Sequence, residues 1–181
     1  MAAAADAGTP WVLDPVVVGT LTHRTALARE LFGWGPSVVR GNASEILALA
    51  GDGSGGRGVE AADDVAAALD PACDLARSYG CVVTVSGLVD LVTDGESVIH
   101  VQGGSALLTR MTGGGCALGA VVAAFLGAEG GPHRTCRFTS SPMRASAARA
   151  AETSWSPLRL LSTAESPASN CAPRVPTADS S

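Results

Sequence analysis

The chain has 181 residues, 46% of them hydrophobic and 16% charged, which is enough apolar character for one packed core and too much for wholesale disorder. Its 12 basic residues are all arginine, which excludes a lysine nucleophile, a Schiff base and a Walker-type Gly-Lys-Ser/Thr loop. A net charge of -5 argues against non-specific binding of nucleic acid, and no apolar run is long enough to span a bilayer.

The charge is unevenly spread. Residues 1–130 hold six arginines against fourteen acids, whereas residues 131–181 hold six against three. Glycine is abundant at 22 residues and aromatics reach only 4%, the composition of a layered α/β protein with an Ala/Val/Leu interior. The five cysteines (Cys73, Cys81, Cys116, Cys136, Cys171) are odd in number and form no C-x-x-C pair, so neither a disulfide framework nor a zinc site is expected. That usage and the lack of a signal-peptide pattern at MAAAADAGTP fit a reducing cytoplasm.

Trp11 to Val18 (WVLDPVVV) reads as a buried strand that delivers the carboxylate of Asp14 at its C-terminal end. Thr25 to Phe32 spaces Leu27, Leu31 and Phe32 as one helical face, which Gly33 to Pro36 ends. Ser37 to Arg40 is the next strand, followed by a helix over Ala43 to Ala50 with Ile46, Leu47 and Leu49 as its apolar positions. Gly51 to Gly58 reads as a flexible loop, and Val59 to Tyr79 as a long alanine-rich helix that Pro71 kinks or divides.

Cys81 to Val85 (CVVTV) is the clearest buried strand, and Leu88 to Val92 and Ser97 to Val101 flank a Thr93-Asp94-Gly95-Glu96 turn as a hairpin. Thr112 to Gly115 then leads into an apolar helix, Cys116 to Leu126. From about Arg134 the composition turns to Ser, Ala, Pro, Thr and Arg, with only a weak helical stretch near Met143 to Ala151, and disorder is expected.

Gly51-x-Gly53-x-x-Gly56 matches the dinucleotide fingerprint, yet it follows a helix where that motif needs a strand, so a surface linker is the better reading. Thr112-Gly113-Gly114-Gly115-Cys116 is more informative, because glycines before an apolar helix leave backbone N–H groups free beside the positive end of the helix dipole. Such a segment either holds phosphate or simply connects two elements. Cys116, in the first turn, is either a reactive thiol able to act as a base or an inert buried cysteine.

Arg40-Gly41-Asn42-Ala43-Ser44-Glu45 places a cation at a strand end, with Asn42 and Glu45 spaced as a capping box. The same residues could set a guanidinium on phosphate and a carboxylate near magnesium. Ser86-Gly87 at a strand exit is uninformative alone. His23, His100 and His133 do not converge, and Asp94 and Arg110 read as solvated loop charges.

Taken in order, WVLDPVVVG, RGNASEILALAG, TVSGLVDLVTDG and LLTRMTGGGCALGAVVAAFL resemble the hydroxyethylthiazole kinases of the ribokinase-like superfamily, from about Gly8 to His133. The resemblance implies a three-layer α/β/α fold and ATP-dependent phosphorylation, with Mg²⁺, of the hydroxyl of 4-methyl-5-(2-hydroxyethyl)thiazole in thiamine salvage. It implies a homotrimer with sites between subunits, and charge, hydropathy and cysteine usage add the expectation of a cytoplasmic protein with no nucleic-acid or membrane partner. Carried over by motif, Arg40 and Ser86 contact ATP, Gly113 lines the thiazole site, Cys116 stands where relatives place an Asp base, and Asp14 and Glu45 organise magnesium. Ser86 replaces a frequent Thr, and Gly114 a residue that is often Thr.

Family members carry a further N-terminal portion, whereas Met1 here opens within what reads as the end of a helix leading to WVLDP. The chain is therefore expected to hold an incomplete kinase domain over 1–133 and a divergent, low-complexity tail over 134–181. Two other readings stand beside the thiazole kinase: a ribokinase-like kinase for another small alcohol, and an inactive nucleotide-binding remnant.

Overall fold

Valine-rich strands that must be buried on both faces need helices on both sides of the sheet, and that requirement organises this protein. A computed structural model describes residues 2–51, 65–103, 105, 110–128 and 169–170. The helices are α1 (Ala2–Asp6), α2 (Thr22–Phe32), α3 (Ala43–Ala50), α4 (Leu69–Tyr79) and α5 (Gly114–Ala128). The strands are β1 (Val12–Leu13), β2 (Val38–Asn42), β3 (Val82–Ser86), β4 (Val89–Thr93), β5 (Ser97–Gln102) and β6 (Ser169–Asn170). They form one sheet in the order β1-β2-β3-β4-β5-β6, parallel from β1 to β3 and antiparallel thereafter.

Successive side chains along these strands enter opposite layers. Val39, Val83, Val85, Leu91 and Val98 join Ala28, Phe32, Ile46, Leu49, Ala72 and Ala76 of α2, α3 and α4 on one face. Val38, Val82, Val92 and Val101 pack against Leu118, Val122 and Leu126 of α5 on the other. The expected three-layer α/β/α arrangement is thus present among the described residues.

α3 spans Ala43–Ala50, as its capping signal predicts. The Asn42 side chain accepts the Glu45 N–H and the Glu45 side chain accepts the Asn42 N–H, while Gly51 ends the helix in the left-handed conformation. The Gly51 fingerprint therefore does begin at a helix C-terminus, and its remaining glycines lie outside the described residues.

Several elements depart from expectation. The strand read over Trp11 to Val18 is only Val12–Leu13, because Pro15 cannot donate to a ladder and residues 16–20 form a turn. Within the long helix read over Val59 to Tyr79, Val65–Ala68 is a 3-10 helix and α4 begins at Leu69. Pro71 sits in the first turn of α4, where its missing N–H has no helical partner to lose. Cys73 is disulfide-bonded, contrary to the expectation drawn from cysteine spacing, while Cys81 and Cys116 form no disulfide. Spacing along the chain says nothing of pairing across the fold.

Asp94 is half-buried rather than merely solvated: its carboxylate accepts N–H groups of Glu96 and Ser97 and shapes the β4–β5 turn. Arg110 is exposed, as expected. His23 on α2 is exposed and His100 lies on β5, so these two histidines are on separate elements. His133, the Met143 to Ala151 stretch and nearly all of the 134–181 tail lie outside the described residues. No helix among those described is long and apolar enough to cross a membrane.

Ile46 is fully buried in the α3 layer that supports Asn42 and Glu45. Ile46→Ala should cost about 2–5 kcal/mol, seen as a lower urea midpoint at unchanged denaturant slope. A midpoint within experimental error of the parent would contradict this packing.

Candidate active site

Parallel strands carry their chain ends to the same edge of a sheet, and the edge at the C-terminal ends of β1, β2 and β3 is where charge collects here. Asp14 directly follows β1, Arg40 lies on β2 and Ser86 ends β3. Arg40 Nη2 donates to Ser86 Oγ at 2.9 Å, and Arg40 Nη1 lies 3.6 Å from Asp14 Oδ1. Both charged side chains are largely buried, with 11% exposure for Arg40 and 19% for Asp14.

Helix α5 comes down on this group from the opposite layer, and two of its glycines make the approach possible. A Cβ on Gly115 would stand 2.8 Å from Arg40 Nη1, and one on Gly119 would stand 3.2 Å from Asp14 Oδ2. The helix therefore begins against the guanidinium. Its first N–H groups, at Gly114 to Cys116, have no helical acceptors. Gly113 immediately precedes it with φ +85, and a Cβ there would meet nothing within 4 Å. Cys116 is exposed and outside any disulfide in the first turn, so it is not a buried cysteine.

Glu45 reaches the same region from α3. Its Oε2 accepts the Asn42 N–H at 2.9 Å and its Oε1 accepts the Val17 N–H at 3.0 Å. Gly41 makes room for it, since a Cβ there would stand 3.2 Å from Glu45 Cβ. Burial raises the Asp14 carboxyl above its ordinary value of 3.8; the Arg40 charge opposes that rise and the Glu45 charge adds to it. Asp14 Oδ1 and Arg40 Nε are buried with no hydrogen-bond partner among the described residues.

The structure thus joins Asp14, Arg40 and Ser86 directly, brings Glu45 within electrostatic reach of Asp14, and sets the Gly113-to-Cys116 segment over them. Asp90 was not anticipated. Its Oδ1 accepts the Gly87 N–H at 2.8 Å, bracing the turn after Ser86, and it lines a small cleft with Thr84, Ser86, Val92, Leu118 and Val122. The sequence signal is the spacing Ser86-x-x-x-Asp90, which acquires meaning only once β3 and β4 are known to pair. Gly115 and Gly119 also went unread as a pair, although their i, i+4 spacing places them on one helical face.

Burial raises the Asp90 carboxyl above 3.8, with the Gly87 N–H and the Arg40 charge opposing. A carboxylate whose folded value is raised holds its proton more tightly when folded, so its contribution to stability falls as pH rises from 3.8 through the raised value. Asp90→Asn removes that titration while keeping an acceptor for Gly87. Urea midpoints of the variant should therefore decline less than those of the parent across that window. Parallel declines would show that Asp90 does not carry the effect.

A sequence model of the Hydroxyethylthiazole kinase family matches residues 1–159. Over 150 residues the chain is 58% identical to a hydroxyethylthiazole kinase of Clavibacter sepedonicus, covering 83% of this chain and 54% of that protein. Over 124 residues it is 60% identical to one from Pectobacterium atrosepticum, covering 68% of this chain and 47% of the relative. The chain thus spans about half the length of the curated relatives it matches. Among solved structures, a hydroxyethylthiazole kinase protein from Pyrococcus horikoshii OT3 matches with TM-score 0.62 and 32% identity, over 80% of this chain and 49% of that one. An ADP complex of Bacillus subtilis pyridoxal kinase matches with TM-score 0.51 and 22% identity, over 78% of this chain and 50% of that one, and shows the fold alone. The fold is ribokinase-like α/β, and the chain belongs to the Hydroxyethylthiazole kinase family.

Proposed function

We propose that this protein transfers the terminal phosphoryl group of ATP to the hydroxyl of 4-methyl-5-(2-hydroxyethyl)thiazole, the salvage step that returns the thiazole to thiamine synthesis. The observation that carries this reading is the buried Arg40 guanidinium, tied to Asp14 and Ser86 and set against the start of α5, in a chain of this family. Phosphoryl transfer asks a protein mainly for charge neutralisation and in-line positioning, which such an arrangement can supply.

Arg40 would direct its remaining N–H donors at phosphate oxygens, and the free N–H groups at the start of α5 would add backbone donors and a favourable dipole. Ser86 Oγ accepts from Arg40, which leaves its own O–H to donate to the nucleotide. The exposed Cys116 sulfur, in its deprotonated form, would take the proton of the substrate hydroxyl and become the thiol, and the open space at Gly113 would receive the thiazole ring.

The donor set also fits Mg²⁺. Asp14 Oδ1 pairs with Arg40 at 3.6 Å but has no hydrogen-bond partner among the described residues, and Glu45 is near enough for its charge to raise the Asp14 carboxyl. No group of three metal-ligating side chains occurs among the described residues, and magnesium commonly uses one or two carboxylates with water and substrate phosphates completing its shell. Asp14 would be its main anchor and Glu45 its supporting charge. Magnesium supplies neutralisation of the phosphate charge when bound. The same reading carries a cytoplasmic homotrimer with sites between subunits, supported by the family resemblance; the division into 1–133 and 134–181 is proposed on composition alone, while the family match runs to residue 159 and β6 joins the sheet from beyond it.

Thiazole-dependent release of ADP tests the proposal. Cys116→Ala should lower that rate by about 10²–10⁴-fold while leaving ATP affinity within about threefold, as expected for loss of a general base. ADP release indifferent to the thiazole, or faster with a different small alcohol, would overturn the assignment, as would ATP binding with no transfer at all.

A further inference from the structure

The turn that carries Asp14 holds a valine in a conformation that valine avoids. Val17 has φ +66 and is the one non-glycine residue with positive φ among the described residues. A β-branched side chain there is a true outlier, and such strain persists only where its surroundings over-determine it. Those surroundings are visible. The Val17 N–H donates to Glu45 Oε1 at 3.0 Å, and its carbonyl accepts N–H groups of Thr20 and Leu21, each at 3.3 Å. Val16 N–H closes onto the Asp14 carbonyl at 2.9 Å, and Val18 N–H onto that of Pro15 at 3.2 Å. Gly19 N–H donates to Thr25 Oγ1 at 2.9 Å, and a Cβ on Gly19 would stand 2.7 Å from Ala48 Cβ, so the turn is pressed onto α3.

β1 is only two residues long and gives this turn little purchase of its own. Glu45, by contrast, is fixed at the start of α3 by the capping box. We propose that Glu45 is a positioning residue whose carboxylate clasps the strained 14–19 turn to the start of α3 and thereby sets the place of Asp14 beneath α5. The consequence for catalysis rests on the kinase reading given above, whereas the clasp itself does not. On this view Glu45 acts through Val17 as well as by its charge near Asp14, with one oxygen for each of two backbone donors.

The test uses four variants of the full chain: Val17→Gly, Val17→Ala, Glu45→Gln and the Val17→Gly/Glu45→Gln double. Alanine removes the two γ-methyl groups of valine and glycine the Cβ as well, and glycine is ordinarily the less stable of the two because it loses more backbone freedom on folding. At Val17 the order should invert, with Val17→Gly melting about 2–4 °C above Val17→Ala. A glutamine at 45 has one acceptor oxygen and so cannot serve both Val17 and Asn42. Glu45→Gln should therefore speed amide exchange across residues 14–21 by about tenfold or more, and adding Val17→Gly should restore most of the lost protection.

Turnover supplies the readout that a purely structural role would leave alone. Glu45→Gln should lower thiazole-dependent ADP release, and the double variant should recover the share lost through the turn, since a glycine can hold the turn without the clasp, but not the share lost with the Glu45 charge near Asp14. Recovered exchange protection without recovered turnover would assign Glu45 to metal binding and overturn the positioning role. A Val17→Gly protein melting below Val17→Ala, or unchanged exchange in Glu45→Gln, would overturn the clasp. If the parent shows no thiazole-dependent turnover, the kinase reading fails, while melting and exchange still decide the clasp.

Discussion

A guanidinium cannot shed its charge, so once Arg40 is buried on a central strand the protein around it must supply acceptors. β2 lies between β1 and β3, and both neighbours run parallel to it. Their chain ends therefore arrive on either side of Arg40, Asp14 from β1 and Ser86 from β3, as the pairing of Asn42 with Ser86 requires. Slipping one strand by a single residue would turn these side chains to the opposite face. The same register that fills both hydrophobic layers with valine thus sets the polar group at the sheet edge, and the two cannot be altered independently.

That edge is not optimised for stability. Burial lifts both Asp14 and Asp90 above the ordinary carboxylate value, and Arg40 Nε and Asp14 Oδ1 lack hydrogen-bond partners among the described residues. Each buried polar atom left unmatched costs about 1–3 kcal/mol. Val17 adds backbone strain a few residues away. Such costs gathered at one place, while the valine layers behind are close to fully buried, agree with the proposed role of this edge in holding a charged ligand.

What could be read from the sequence follows the range of the forces involved. α3 was legible to the residue because its signal is local, with Asn42 and Glu45 three apart and Gly51 ready for the left-handed end. The valine run at β3 and the turn at Gly95 were legible for the same reason. β1 was over-read, since an apolar run suggests a strand while the left-handed Val17 is held by Glu45, 28 positions away. Asp90, Gly115 and Gly119 escaped because each matters through a neighbour brought in by the fold. The disulfide at Cys73 escaped likewise. The six residues carried over by resemblance fared differently: Asp14, Arg40 and Ser86 meet in space, Glu45 acts on them by charge, and Gly113 and Cys116 bound the approaching helix end.

Helix α5 reconciles two demands that ordinarily conflict. To cover the sheet it needs large apolar side chains, and Leu118, Val122 and Leu126 supply them at the four-residue spacing of one stripe. On the proposed phosphoryl-transfer reading, a phosphate-sized ligand reaches both the guanidinium and the N–H groups at the start of the helix. The same helix therefore comes close to Arg40 and Asp14, where a Cβ would stand 2.8 Å from a guanidinium nitrogen and 3.2 Å from a carboxylate oxygen. Gly115 and Gly119 form a second stripe, also four residues apart, beside the first. Glycine weakens a helix by roughly 0.5–1 kcal/mol relative to alanine, so two of them in one helix are a standing cost. The close approach explains that cost physically: a methyl group at Gly115 would displace the guanidinium, and one at Gly119 would crowd the Asp14 carboxylate, so the helix could keep its packing only by losing the geometry beneath it.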